Sequence, residues 1–214
     1  MDALIAAAIH DAKNGLSALN TWLAEAQREH PSQALTEAQS VAIRVSAQMV
    51  ELLALYRAAE GSLRLAIDDH DLTDFCQDLG AGRVLPPQSA LRLETKLAAA
   101  ADIGAWAFDA YQVNLVLLDA LRNAVRFARR VVRLSVEKTI DGICFTVADD
   151  GPGFPAEILD GAETTMDSGS SGLGLRFARL IAQRHATPDG RHGRIELGND
   201  SGANGGAVFR LFLP

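Results

Sequence analysis

No apolar run in this chain approaches the roughly 20 residues that a membrane-crossing helix requires, so no transmembrane segment is expected. The opening of a secretory signal is also missing. Asp2 stands where a basic cap would precede an apolar core, and a helical pattern starts at once. Cysteine is scarce: Cys76 and Cys144 lie far apart, each in an apolar pattern. That predicts two buried thiols in a reducing compartment, with neither a disulfide nor a metal pair. Basic residues are outnumbered, 20 Lys and Arg against 27 Asp and Glu, for a net charge of −7 and a pI of about 5.2. A nucleic-acid surface is therefore excluded as the main function, because binding a phosphate backbone needs a basic excess. What remains is a cytoplasmic protein of 214 residues, 48% hydrophobic and 22% charged, long enough for one medium or two small packed domains.

The first sixty residues carry a helical period. Ile5, Ile9, Ala12, Leu16, Leu19, Leu23 and Ala26 recur in alternating steps of four and three, a heptad seam. Pro31 lacks an amide hydrogen and disfavours helix at His30, so the first helix should end near Glu29. The pattern resumes at Leu35, Ala38, Ala42, Val45, Met49, Leu52, Tyr56 and Ala59, and Gly61 stops it. Two such helices joined by a short loop form an antiparallel hairpin. One hairpin buries its seams poorly and two bury them as a four-helix bundle, so a homodimer through residues 1–60 is predicted. His10 adjoins the seam residue Ile9, at the seam's edge and facing solvent. Asp11 lies about 100° further round, and Lys13 and Asn14 sit one turn on. An imidazole beside a carboxylate can accept a phosphoryl group, and a polar face of four ordinary residues reads equally well at this point.

Past Gly61 the period changes, giving a second domain over 61–214. Leu63, Leu65 and Ile67 alternate as a strand, and Leu72 to Ala81 form a helix capped by Asp71. Strands follow at Leu91–Thr95 and Trp106–Phe108, then a long helix at Tyr111–Arg129. Two more strands, Val131–Lys138 and Gly142–Ala148, turn at Asp141-Gly142. A helix at Leu173–His185 and strands at Arg194–Leu197 and Ala207–Leu213 complete the chain. Helices and a largely antiparallel sheet mix without regular βαβ alternation, which predicts an α+β fold, a two-layer α/β sandwich.

Three clusters in this half carry chemistry. Asp149-Asp150-Gly151-Pro152-Gly153 ends an apolar strand. A carboxylate there, beside glycines that admit a ligand to the backbone, suits an adenine amino group or is an ordinary turn. Gly169-Ser170-Ser171-Gly172-Leu173-Gly174 runs into a helix and offers free amides to phosphate oxygens. No Lys-Ser or Lys-Thr pair follows it, so it is not a P-loop. Asp119 and Asn123, four apart, share a helix face where two oxygen-bearing side chains could hold Mg²⁺, with Arg126 a turn on; a solvated polar face is the plainer alternative.

Order and spacing are more specific than any one cluster. A histidine in a helical hairpin, an Asn on a long helix, Asp-x-Gly-x-Gly, and Gly-x-Gly before a helix together resemble the sensor histidine kinases over nearly the whole chain. The closing segment Gly205 to Pro214 is similar to their last strand. The resemblance implies a dimerisation and histidine-phosphotransfer hairpin followed by a catalytic domain of the Bergerat (GHKL) fold. It implies His10 as phosphoacceptor and Asp11 as the acid that takes its proton or orients the ring. Asn14 would position a water that dephosphorylates a partner. For ATP it implies Asp149 on adenine, Gly151 and Gly153 in the pocket floor, Gly172 and Gly174 at the phosphates, and Arg126 as a basic contact. Asn123 would bind Mg²⁺, joined by Asp119. The activity implied is autophosphorylation of His10 and transfer to a response-regulator receiver domain.

The pattern departs from the family in places. Asp119 stands where a second Asn is frequent, and could instead orient water as an acid does in the ATPase branch. Gly15 replaces a common proline, and the stretch from Phe154 to Gly172 is short. Only nine residues precede His10, so no sensor domain is expected within the chain, which allows a separate sensor protein as input. Two other readings share this scaffold: a histidine phosphotransferase relaying phosphate with a vestigial ATP site, and an ATPase or serine kinase of the same fold.

Overall fold

Residues 2–81, 85, 90–160, 172–200 and 205–214 are described by the computed structural model, with the side chains of residues 2–8, 10, 13 and 81 outside that description. The chain divides into two units, Met1–Leu63 and Arg64–Pro214.

The first unit is a pair of helices, α1 (Asp2–Glu29) and α2 (Gln33–Ala59). The break at Pro31 is followed at once by a new start. The Ser32 hydroxyl accepts the Leu35 amide at 3.2 Å and caps α2. Gln27 donates to Thr36 at 3.1 Å near the loop and Asn20 to Ser46 at 3.2 Å further from it, so the helices run antiparallel. Ile9, Ala42, Leu53 and Ala54 are buried between them, while Leu19, Trp22 and Leu52 stay exposed on the single hairpin, Trp22 by 65%. Among the described residues no helix is long and apolar enough to cross a membrane.

The second unit is α+β. A five-stranded sheet has the order β2 (Arg92–Lys96), β4 (Val131–Thr139), β5 (Gly142–Asp149), β7 (Ala207–Leu213), β6 (Arg194–Asn199). β2 and β4 are parallel, and the remaining neighbours antiparallel. One face of the sheet presents Leu134, Val136, Ile143, Phe145, Val147, Leu211 and Leu213, all buried. Against it pack α3 (Leu72–Ala81) and α5 (Ala110–Phe127), with α7 (Leu173–Arg184) beside α5. Phe75, Phe108 and Phe145 meet edge to face at 5.0 to 6.0 Å between centroids, at the centre of this core. Two short helices, α4 (Ala98–Ile103) and α6 (Ala156–Leu159), complete the unit. Cys76 and Cys144 are free and buried, and burial pushes the Cys76 thiol up to about 11, so it stays protonated and inert.

Two expectations are corrected. The first strand is not at Leu63 to Ile67 but at β1 (Asp68–Asp71), which pairs antiparallel with β3 (Ala105–Phe108). Residues 64–67 lie outside that register, and the Ala66 amide goes to a side chain, the Asp109 carboxylate, at 2.9 Å. The long helix stops at Phe127 rather than Arg129, because the amides of Arg129, Arg130 and Val131 are all taken by Asp150, at 2.8 to 3.2 Å. Asp71 does cap α3, accepting the Thr73 and Asp74 amides at 2.8 and 3.0 Å.

Truncating the ring at the core's centre tests the packing. Phe145→Ala is expected to cost about 3–5 kcal/mol in chemical denaturation, with the folded baseline retained.

Candidate functional site

The site is built along α5. Asp109 starts the helix, its carboxylate accepting the Gln112 amide at 2.9 Å. Val113, Val116, Leu117, Leu121 and Ala124 form the buried stripe. The 3.6-residue period then turns Asp119, Asn123 and Arg126 to another face. The Asn123 amide donates to Asp119 Oδ2 at 3.2 Å. Gly174, at the start of α7, lies so close that any β-carbon there would overlap that same carboxylate oxygen. Just before it, Gly172 begins α7 in the left-handed region (φ 65°), which a side chain would resist. The two clusters predicted from sequence around residues 119–126 and 172–174 are thus neighbours in space. Gly169 to Ser171 lie outside the described residues. Burial holds the Asp119 carboxyl above the ordinary aspartate range, although the Arg122 charge and the Asn123 hydrogen bond both pull it down.

The third cluster meets the other end of the same helix. A β-carbon on Gly151 would strike the Phe127 carbonyl, so the Asp149–Gly153 loop abuts the last residue of α5. Asp119 and Phe127 are two turns apart, about 12 Å along the axis. Asp149 is buried, and its Oδ1 accepts the Gly151 amide at 2.7 Å and the Ala207 amide at 3.3 Å. Its Oδ2 accepts nothing from the described residues and is not sealed from solvent. One oxygen held by the backbone and the other open is the arrangement that presents an acceptor to a ligand amine.

Next to it, Asp150 is buried and wholly structural. Burial alone would raise its carboxyl, but the three amides of Arg130, Val131 and Arg129 outweigh that and hold it below the ordinary range. Gly153 has φ 85° and leaves no room for a β-carbon beside the Asn199 amide. Asn199 in turn accepts the Phe154 amide at 2.6 Å and donates to its carbonyl at 2.9 Å.

Arg126 is exposed, with its guanidinium over the Phe127 ring, 5.3 Å from the centroid. His10, Asp11 and Asn14 belong to α1, in the other unit. Asp11 and Asn14 are exposed, and the His10 side chain is outside the description. Sequence reading passed over three buried or bonded polar residues: Asn199 beside Gly153, and Asp109 and His185, which join the start of α5 to the end of α7. An Asp directly before an amphipathic helix could have flagged Asp109, whereas nothing local marks the other two.

A family model described as histidine kinase-, DNA gyrase B-, and HSP90-like ATPase matches residues 108–214. Among curated proteins, the signal transduction histidine-protein kinase AfsQ2 of Streptomyces coelicolor is 28% identical over 182 residues, covering 80% of this chain and 31% of that protein. The chain spans less than a third of the length of the curated relatives it matches. Among solved structures, the Acinetobacter baumannii histidine kinase AdeS aligns with a TM-score of 0.57 at 17% identity, over 92% of this chain and 93% of that one. Full-length ShkA in complex with AMPPNP aligns at 0.64 and 15% identity, over 99% of this chain and 46% of that one. At such identities the structures speak for the fold. The family match opens at Phe108, one residue before the α5 cap, and runs through the closing strand; this chain belongs to the histidine kinase-, DNA gyrase B-, and HSP90-like ATPase family.

Proposed function

We propose that this chain is the core of a protein histidine kinase of a two-component system, working in the cytoplasm. The observation that carries the reading is α5 itself: Asp119, hydrogen-bonded to Asn123, meets Gly174 midway along it, and the Asp149 loop meets Phe127 at its end. The open oxygen of Asp149 accepts from the adenine amino group, and Gly151 and Gly153 keep the pocket floor clear. Gly172 and Gly174 bring backbone amides to the phosphates, where Arg126 adds a cation. Asp119 and Asn123 supply two hard oxygen donors and fit Mg²⁺, whose remaining positions would fall to phosphate and water. When bound, Mg²⁺ offsets charge on the phosphates.

A ring nitrogen of His10 then forms a bond to the γ-phosphorus, while the bond to the bridging oxygen breaks and its electron pair leaves with ADP. Asp11 takes or steadies the ring proton. The phosphoryl group passes on to an aspartate of a response-regulator receiver domain, and Asn14 holds water for the reverse, dephosphorylating reaction. Residues 1–60 serve phosphotransfer and dimerisation, and residues 61–214 catalysis. A relay between receiver domains would need none of the Asp149 loop, and the half-satisfied carboxylate built there speaks against it.

Incubation with γ-labelled ATP and Mg²⁺ should give acid-labile phosphate on the wild type and none on His10→Ala; equal labelling of both would refute the assignment. Asp149→Asn should weaken nucleotide binding about tenfold in calorimetry, since its amide can no longer both accept from the backbone and present a charged acceptor.

Asp119 allows a sign test. Its folded pKa is raised, so the native state binds more protons, and stability is fullest below the unfolded aspartate value and falls as pH rises through the folded one. Nucleotide-free Asp119→Asn should therefore melt higher than wild type at neutral pH, with the gap closing below about pH 4, while its affinity for Mg²⁺·nucleotide drops. For the dimer, light scattering should give twice the 22.8 kDa of one chain, and Trp22→Glu should shift the mass toward the monomer.

A further inference from the structure

The mechanism above makes no use of the imidazole of His185. It closes α7 and is 3% exposed. Its Nε2 accepts the Asp109 backbone amide at 3.0 Å, so the ring proton sits on Nδ1, which donates to the Ile181 carbonyl 2.8 Å away. Asp109 is itself fully engaged. Besides capping α5, its carboxylate accepts the Ala66 amide at 2.9 Å. One imidazole therefore ties the end of α7 to the start of α5.

The placement matters because the same two helices meet again at the nucleotide end, where Gly174 abuts Asp119. From Asp109 to Asp119 is ten residues of α5, and from Gly174 to His185 eleven of α7, about 15 and 16 Å. The helices run antiparallel with matched spans, close at one end through a missing side chain and held at the other by a hydrogen bond. Phe177, Ala178, Ile181 and Ala182 pack α7 by apolar contact, which is not directional, whereas the tie at the far end is a directional bond between the two helices.

We propose that His185 is a positioning residue for the nucleotide site: through Asp109 it sets how closely Gly172 and Gly174 approach Asp119 and Asn123. This rests on reading that site as a nucleotide site. Asp109, on α5, is the charged group that faces the ring. Behind it the Gly193 amide meets the His185 carbonyl at 2.8 Å, and among the described residues Asp109 is the charged group that acts on the ring. Protonating Nε2 would remove the acceptor and set N–H against N–H. Burial holds the ring's pKa below the ordinary histidine value, so the unfolded chain takes up this proton first. The tie is then intact above the ordinary range and is lost as pH falls through the lowered one.

The experiment compares wild type, His185→Gln, which keeps an acceptor without titrating, and His185→Phe, which fills the space without one. Two readouts are taken: calorimetric binding of Mg²⁺·AMPPNP from neutral pH down to the lowest pH at which the protein stays folded, and amide exchange at Arg176, which donates to Gly172 at the opposite end of α7. His185→Phe should bind about tenfold more weakly and exchange faster at Arg176 under native conditions. His185→Gln should match wild type at neutral pH and lack part of its decline in acid. Asp119 titrates in both proteins, so the difference between their profiles belongs to His185. Superimposable pH profiles, or a folded His185→Phe with wild-type affinity and exchange, would overturn the proposal. If His185→Phe does not fold, the wild-type and Gln profiles decide. If wild type binds no AMPPNP, the nucleotide reading fails by itself and the Arg176 exchange decides whether the tie acts across α7.

Discussion

A single carboxylate oxygen, Oδ1 of Asp150, receives three consecutive backbone amides, those of Arg129, Arg130 and Val131. Those amides belong to the turn between α5 and β4, and the acceptor belongs to the end of β5. The bond set stops the helix, starts the strand and fixes where β5 gives way to the glycine loop. Asp149 is the adjacent residue, so its direction follows from the same constraint. The three charge-assisted bonds outweigh the cost of burial and hold the Asp150 carboxyl below the ordinary aspartate range.

The neighbouring acids divide the labour between fold and site. Asp150 is stabilised by its surroundings, while Asp119 is not: burial opposes its charge, and one amide and one nearby arginine only partly compensate. Its charged form is the one the folded chain does not favour. Between them stands Asp149, with one oxygen spent on the backbone and the other held back. Three carboxylates within one ATP-site region thus have three environments, set by how many amides each one meets.

Much of this could be read from the sequence. The two helices α1 and α2 with the break at Pro31, the Asp71 cap, the β4–β5 hairpin and the start of α7 at Leu173 all depend on local period or local turn chemistry, and these the residues display; which residues of the hairpin are buried they show less well, since Leu53 and Ala54 are buried and the expected seam residues Leu19 and Leu52 are exposed. The early strand was misplaced because alternation at Leu63, Leu65 and Ile67 says nothing about a pairing partner, and β3 registers with Asp68 to Asp71 instead. Helix α4, only six residues long, is too short to show a period. The nucleotide clusters were legible as glycine and acid motifs, but their meeting along α5 was not. The long-range bonds of the anchors are illegible for a physical reason: Asp109 reaches Ala66 across 43 positions, His185 reaches Asp109 across 76, and Asn199 reaches Phe154 across 45. A polar side chain bonded to distant backbone leaves no signature near itself.

Asn199 has a consequence of its own. Its side-chain amide gives Phe154 both a donor and an acceptor, as a neighbouring strand would, so Phe154 is docked to the edge of the sheet by a residue that is not its sequence neighbour. The course of the chain immediately after Gly153 is therefore set from the end of β6, and not by the Asp149 carboxylate itself.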